Sequence, residues 1–418
     1  MSYPLPTLRT LSVLCLCVTH LVNPIQGTDI NTRPYSARMA DSVIFRRQAI
    51  HNDQSDSSGL LQVGVFQTAL LDLIRSPSAQ YLEQDWELYL SGSADSIVAV
   101  VDNATRNTQF PLDRLSLGKG LSYQYDKSGN GAYKESLNAL WESINLQPRN
   151  EFGGLWYYVY PNWSYLDGMF SLLSFVPLYT SAFPTKDNSA ITSDLFHQLN
   201  LLWSHCHDNA TNLLVHGYDA SLSAPWVNSL TGGSPHVWIR ALGWFMMGLV
   251  DFLELSQLDS TFNGRDQTAT WRSRFNDLAN ALIRVVDPDS GAWWQLLDEP
   301  GKEGNYIESS GSAMFVYALL KGARVGLLEE SEYDGTITRY TDVAERAYQT
   351  LVERFVVQNE DGTLSYNGTV GVCSLNSTAT YGYYVHQPLV YDSVLGSAAF
   401  IRASIEYELY AAQTATET

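Results

Sequence analysis

Basic residues are scarce in this chain. Its 418 residues carry 25 Lys and Arg against 44 Asp and Glu, a formal net charge of −19. A surface of that sign repels phosphate backbones and argues against nucleic acid as a partner. It offers no global attraction for an acidic sugar either, so an anionic substrate needs a local cation. Cysteine is also sparse. Cys15 and Cys17 fall in an apolar N-terminal run, which leaves Cys206 and Cys373 to form one disulfide or remain as two buried thiols. No CxxC or CxxH cluster points to a metal. No stretch after the N-terminus has 18 uninterrupted apolar residues, so no membrane span is expected. GxSxG, HExxH, P-loop and Rossmann fingerprints are all missing, which removes the commonest hydrolase and nucleotide readings.

What is present begins with a leader. Arg9 precedes the apolar run Leu11–Val18, and Ile25-Gln26-Gly27 offers a small residue for cleavage, so residues 1–27 read as a secretory signal. Five glycosylation sequons, at Asn103, Asn162, Asn209, Asn367 and Asn376, agree with an extracellular destination. Eleven Trp and 25 Tyr are ample for a core and also suit stacking on sugar faces.

No Pro- or Ser-rich linker interrupts residues 28–418, so a single domain is expected. Helices are predicted near 37–49, 60–75, 79–92, 113–126, 132–145, 164–180, 188–206, 236–256, 268–286, 307–325, 336–356 and 387–411. Their breaks carry turn chemistry, as in Lys127-Ser128-Gly129-Asn130-Gly131. A dozen helices on short loops fit an all-α architecture of six helical hairpins. Closed into a ring, these make an (α/α)6 barrel with a central pocket; an open solenoid is the alternative. Three Gly- and aromatic-containing pieces, 153–158, 213–219 and 291–295, suit loops at the mouth of such a pocket.

Seven residues stand out chemically. Asp167, among aromatics and Met at the start of an apolar helix, should lose solvation and gain a pKa suited to proton donation; the alternative is a helix cap. His236, Arg240 and Trp244 recur at i, i+4 and i+8 and are expected on one helix face. There Arg240 meets an anion of the protein or of a ligand. His216, in His216-Gly217-Tyr218-Asp219, reads as a loop histidine. Asp113 and Glu308 read as possible caps.

The ordered segments Leu112-Asp113, Gly153-Gly154-Leu155-Trp156, Leu166-Asp167-Gly168, His216-Gly217-Tyr218-Asp219, Trp238-Ile239-Arg240-Ala241-Leu242-Gly243-Trp244 and Glu308-Ser309-Ser310-Gly311-Ser312-Ala313-Met314-Phe315 resemble glycoside hydrolase family 105, the unsaturated rhamnogalacturonyl hydrolases. More distantly they resemble the unsaturated glucuronyl hydrolases of family 88. The resemblance covers roughly residues 110–400. It implies an (α/α)6 barrel that removes a 4,5-unsaturated uronic acid from pectin-derived oligosaccharides. Asp167 would protonate C4 and then draw a proton from the water attacking C5. Asp113 and His216 would hold sugar hydroxyls or the acid's geometry, Arg240 would supply the cation, and Trp238 and Trp244 would form stacking walls. A monomer acting on an oligosaccharide is expected, with no cofactor and no metal. Two departures stand out: Tyr157-Tyr158 replaces a His-Lys pair, and Ala241 replaces a glycine. The rival readings are an inverting glycosidase pairing Asp167 with Asp113 or Glu308, and a glycan-binding toroid without turnover.

Overall fold

The structure is a computed structural model and describes residues 33–52, 58–81, 85–183, 188–258, 262, 265–329, 331–333 and 336–417. The signal assigned to 1–27 lies outside the described residues. Pro34–Thr418 form one compact unit.

The helices alternate between an outer and an inner position. In chain order they are α1 (Tyr35–Phe45), α2 (Gly59–Arg75), α3 (Trp86–Val101), the short α4 (Ala104–Asn107), α5 (Gly118–Ser128), α6 (Gly131–Leu146), α7 (Gly168–Ala182) and α8 (Asn188–Cys206). Then come α9 (Ile239–Leu258), α10 (Arg265–Arg284), α11 (Ser309–Arg324), α12 (Tyr340–Phe355), the short α13 (Tyr381–Val385) and α14 (Val394–Glu417). A 3-10 turn, Leu112–Leu117, leads directly into α5. The inner ring is read from packing. α2 packs on that turn, the turn on α7, α7 on α9, α9 on α11, α11 on α14, and α14 back on α2. The ring therefore closes, as an (α/α)6 toroid requires and an open solenoid does not.

Burial explains the division. α9 and α11 are buried nearly all round because they face other helices on every side. The outer α12 buries only one stripe, including Ala344, Ala347, Tyr348 and Leu351. Small residues allow the closest approaches. A Cβ on Gly311 would sit 2.5 Å from the Ile239 side chain, which gives the small-residue run of α11 its packing role.

Strands are short. β1 (Trp163–Tyr165) pairs antiparallel with β4 (Gly217–Asp219), and β2 (His207–Asp208) with β3 (Leu213–Leu214). β5 (Ser331–Tyr333) pairs with β6 (Thr336–Thr338), and β7 (Val356–Gln358) with β8 (Leu364–Tyr366). Only the β1–β4 ribbon matters to the site. Gly217 is required there because a Cβ would lie 2.6 Å from the Ser164 carbonyl oxygen.

The inner helices run in the same sense. Residues at or just before the starts of α2, α7, α9 and α14 line one cavity: Ser58, Leu61, Asp167, Arg240, Trp244 and Leu395. Residues nearer their ends, with Lys321 of α11, line another: Asp72, Arg75, Asp251, Leu258 and Arg402. Helix N-termini carry partial positive charge, so the first cavity gains a local field that favours anions despite the acidic surface. Among the described residues, no helix is long and apolar enough to cross a membrane.

Candidate active site

The cavity at the helix N-termini holds about 660 Å³ of empty space, its open mouth included. Asp113, Asp167, Trp238, Arg240 and Trp244 all line it, so five of the six residues to which the resemblance gives a role meet at one place. The sixth, His216, lies directly behind Asp167. The cavity also takes its walls from Tyr157, Tyr158, Tyr160, Tyr165, Cys373 and Ser374.

Asp167 precedes α7 at the N-cap position, but its side chain makes no capping hydrogen bond. The capping alternative therefore fails. The β1–β4 ribbon brings His216 to it, since Tyr165 pairs with Gly217 and the Leu166 amide donates to the His216 carbonyl at 3.0 Å. His216 Nε2 then lies 3.2 Å from Asp167 Oδ2. The alignment is too poor for a hydrogen bond, and both atoms are buried without one. The other ring nitrogen, Nδ1, is 2.8 Å from the Tyr384 hydroxyl, which fixes the imidazole.

Asp113 sits on the 3-10 turn and does not cap α5, whose N-cap residue is Leu117. It is buried, and the Tyr157 hydroxyl donates to its Oδ2 at 2.5 Å. Its Oδ1 has no partner among the described residues. Burial first, and the facing Asp167 carboxylate second, push Asp113 up to about 7. Two carboxyls facing one pocket resist ionising together, which adds to the rise that burial causes at Asp113. Burial likewise holds the Tyr157 phenol well above its ordinary range, helped by Asp113 and Asp167, so it remains a donor.

The helix face predicted for His236, Arg240 and Trp244 needs correction. α9 starts at Ile239, so His236 lies in the preceding loop, with Nδ1 bonded to Asp298 at 2.7 Å. Trp238 lies immediately before α9, in an antiparallel bridge with Leu296, and the Arg240 guanidinium covers its ring at 4.7 Å. Arg240 also donates to the carbonyls of Val370 (2.6 Å) and Gly371, and stands 3.8 Å from Glu308. Glu308 caps α11 through the Gly311 amide at 2.7 Å and accepts from Ser310 and the Val370 amide. Its oxygens are committed, so the inverting pair of Asp167 with Glu308 is not available. Arg240 and Glu308 together anchor the 370–374 segment that forms one pocket wall.

Cys206 and Cys373 are both free and buried, so the disulfide does not form. Cys373 lines the pocket, and burial pushes its thiol up to about 12. Among the described residues His236, Asp298 and Glu299 are the one group whose ligand atoms converge as a metal site would need. All three are already engaged, His236 with Asp298 and Glu299 with Lys302. Four sequon asparagines, 103, 209, 367 and 376, are exposed, and Asn162 is half-buried.

Sequence reasoning missed Tyr160, Tyr165, Ser374 and Tyr384. It met Tyr157 and Tyr158 only as departures from a pattern. Nothing in the local sequence around Tyr384 marks its contact with His216, 168 residues away.

A closed helical toroid with paired carboxyls in an aromatic-walled pocket defines a six-hairpin glycosidase. The family model for glycosyl hydrolase family 88 matches residues 49–411, and the chain belongs to that family. It is similar to a solved glycoside hydrolase of family 105 from C. acetobutylicum, at 30% identity and a TM-score of 0.79, covering 90% of this chain and 100% of that one. Protein Atu3128 of Agrobacterium fabrum is 36% identical over 209 residues, 49% of this chain and 85% of the relative. An unsaturated 3S-rhamnoglycuronyl hydrolase of Formosa agariphila is 26% identical over 134 residues, 32% of this chain and 31% of the relative.

Proposed function

We propose that the protein is a secreted hydrolase that removes a non-reducing 4,5-unsaturated uronyl group from pectin-derived rhamnogalacturonan oligosaccharides. The observation that carries this reading is the pair Asp113 and Asp167, buried in one aromatic-walled cavity with Asp113 Oδ1 unpartnered. A buried polar atom without a partner in a cavity is what a bound hydroxyl would satisfy. The rhamnoglycuronyl activity named for the Formosa relative supports the substrate class.

In the proposed reaction Asp167 gives its proton to C4 of the double bond. Water adds its oxygen to C5 and returns a proton to Asp167, so the carboxyl is regenerated. The resulting hemiketal opens, the bond to the next sugar breaks, and that sugar leaves with its hydroxyl. Asp113 and Trp244 line the same cavity and would hold the ring, while Arg240, stacked over Trp238, fixes the 370–374 wall.

Incubation with lyase-digested rhamnogalacturonan tests this directly. The ultraviolet band of the C4–C5 double bond should disappear as free sugar is released. Release of sugar with the band intact would favour the inverting glycosidase. Binding without release would favour the non-catalytic toroid.

A further inference from the structure

We propose that a second cavity beside the catalytic pocket, framed by Arg47 and His51, is a distal subsite that takes the carboxylate of a further uronic acid along the same oligosaccharide. This rests on the uronyl hydrolase reading and adds to it a selection for chain length and charge.

The cavity holds about 730 Å³ of empty space, its open mouth included. It borders the same two helix starts as the catalytic pocket. Ser58, Leu61 and Leu395 line that pocket, whereas Gly59, Gln62 and Val394 line this cavity. The two therefore lie on either side of the starts of α2 and α14. A rhamnogalacturonan chain alternates a uronic acid with a neutral sugar. With its unsaturated end in the first pocket, its next carboxylate falls two sugars along, beyond that pocket.

The chemistry of this second cavity suits a carboxylate. Its polar walls are Arg47, Gln48, His51, Asn52 and Gln62, and no acid is among the described residues that line it, in a chain of net charge −19. Asp53 and Asp56, next to it in sequence, lie outside the described residues. Arg47 is exposed, and its side chain makes no hydrogen bond or ion pair among the described residues. Its neighbour Arg46 is turned instead to the Leu364 carbonyl and to Asp392. His51 Nε2 is buried without a partner. A guanidinium with free donors matches the planar fork of a carboxylate, and the two helix starts add a field that favours an anion.

The backbone that carries Arg47 is fixed before anything binds. Arg47 and Ala49 both hold left-handed conformations, at φ 53° and φ 59°. Residues other than glycine keep that conformation where their surroundings over-determine it. Here the Arg47 amide donates to the Ile44 carbonyl at 2.8 Å, and the Gln48 amide to that of Val43 at 3.2 Å. From α3 the Tyr89 hydroxyl donates to the Gln48 carbonyl at 2.6 Å, and Ser93 Oγ to that of Ala49 at 2.7 Å. A ligand at Arg47 therefore has little loop ordering to offset.

The test is Arg47→Asn, because asparagine tolerates the left-handed backbone and the change removes the cation. Two lyase-generated substrates are compared, a disaccharide with one uronyl group and a tetrasaccharide with two. KM for the tetrasaccharide should rise about tenfold, the worth of one charge-assisted hydrogen bond, while kcat and the disaccharide KM stay as they were. A tetrasaccharide whose second carboxyl is reduced to the alcohol should bind the unaltered protein about tenfold more weakly than the native one. That arm needs no variant, so it stands even where Arg47→Asn misfolds. The advantage of the native tetrasaccharide should also shrink as salt is raised. Calorimetry on the Asp167→Asn protein reads the same differences without turnover. Arg47-dependent binding there, with no turnover by the unaltered enzyme, would overturn the reaction and retain the subsite. Turnover with the tetrasaccharide KM unmoved by Arg47→Asn and by carboxyl reduction would overturn the subsite and retain the reaction. An equal loss on disaccharide and tetrasaccharide would overturn it too, by placing the effect of Arg47 on the catalytic pocket.

Discussion

Arg240 and Glu308 stand 3.8 Å apart with both side chains essentially closed to solvent, and both reach the same stretch of backbone at Val370. Arg240 donates to the Val370 carbonyl, Glu308 accepts from its amide, and the residues that follow form the pocket wall. Because these charges are buried, removing one leaves the other uncompensated. Arg240→Met should therefore cost about 3–5 kcal/mol in denaturant unfolding. The double variant with Glu308→Gln should recover part of that loss. Strict additivity of the two single changes would show that the charges do not cooperate.

Arg240→Lys is a gentler probe. A lysine can reach one of the two carbonyls but cannot span both with a planar fork. The 370–374 wall should loosen, so KM should rise while helical content stays constant. An unchanged KM would mean that the wall is held by its other bonds, such as that from the Gly371 amide to the Pro388 carbonyl at 2.7 Å.

Asp167 carries the largest functional expectation. Asp167→Asn keeps the shape and removes the transferable proton, so kcat should fall by about a hundredfold to ten-thousandfold with little change in KM. Its side chain makes no cap bond, so the melting temperature should hardly move. Retained turnover with a clear drop in melting temperature would remove Asp167 from the chemistry.

Much of this site is legible in the sequence, and the reasons for the rest are physical. The apolar period and turn chemistry locate the inner helices, and the ordered motifs put Asp113, Asp167, Trp238, Arg240 and Trp244 together. The His236 assignment errs because apolar spacing continues through a segment that is not helical. There Trp238 bridges to Leu296, and the Ile239 amide bonds to the Gln295 carbonyl, so the chain stays extended until α9 begins. The Tyr157 contact with Asp113 spans 44 residues and depends on main-chain bonds that no local pattern reveals. The cysteine pairing was open for the same reason. Spacing along the chain does not say whether two thiols meet.

The free thiols give a simple check. Cys206 and Cys373 are buried and unpaired, and burial pushes both thiols upward. The folded protein should react slowly with a thiol reagent and the unfolded protein quickly. Adding a reductant should leave the melting temperature unchanged, whereas a disulfide would be worth about 2–5 kcal/mol to a domain that lost it. A drop in melting temperature on reduction would mean that the two cysteines pair.

Asp113 makes the sharpest prediction because function and stability oppose each other there. Its folded pKa is raised from the ordinary carboxyl value to about 7, chiefly by burial. An acid raised in the folded state contributes stability that is fully present below its unfolded pKa, near 4, and is lost as pH rises through 7. Ionising it in place thus costs up to about 4 kcal/mol by pH 8, at one pKa unit per 1.36 kcal/mol. Asp113→Asn removes that ionisation. Its stability advantage over the unaltered protein should grow from pH 4 to pH 7 and then level off, measured by denaturant unfolding at fixed salt. Its activity should fall, since the cavity loses the Asp113 carboxyl. A stability difference that does not change with pH would show that Asp113 ionises as freely in the folded chain as in the unfolded one.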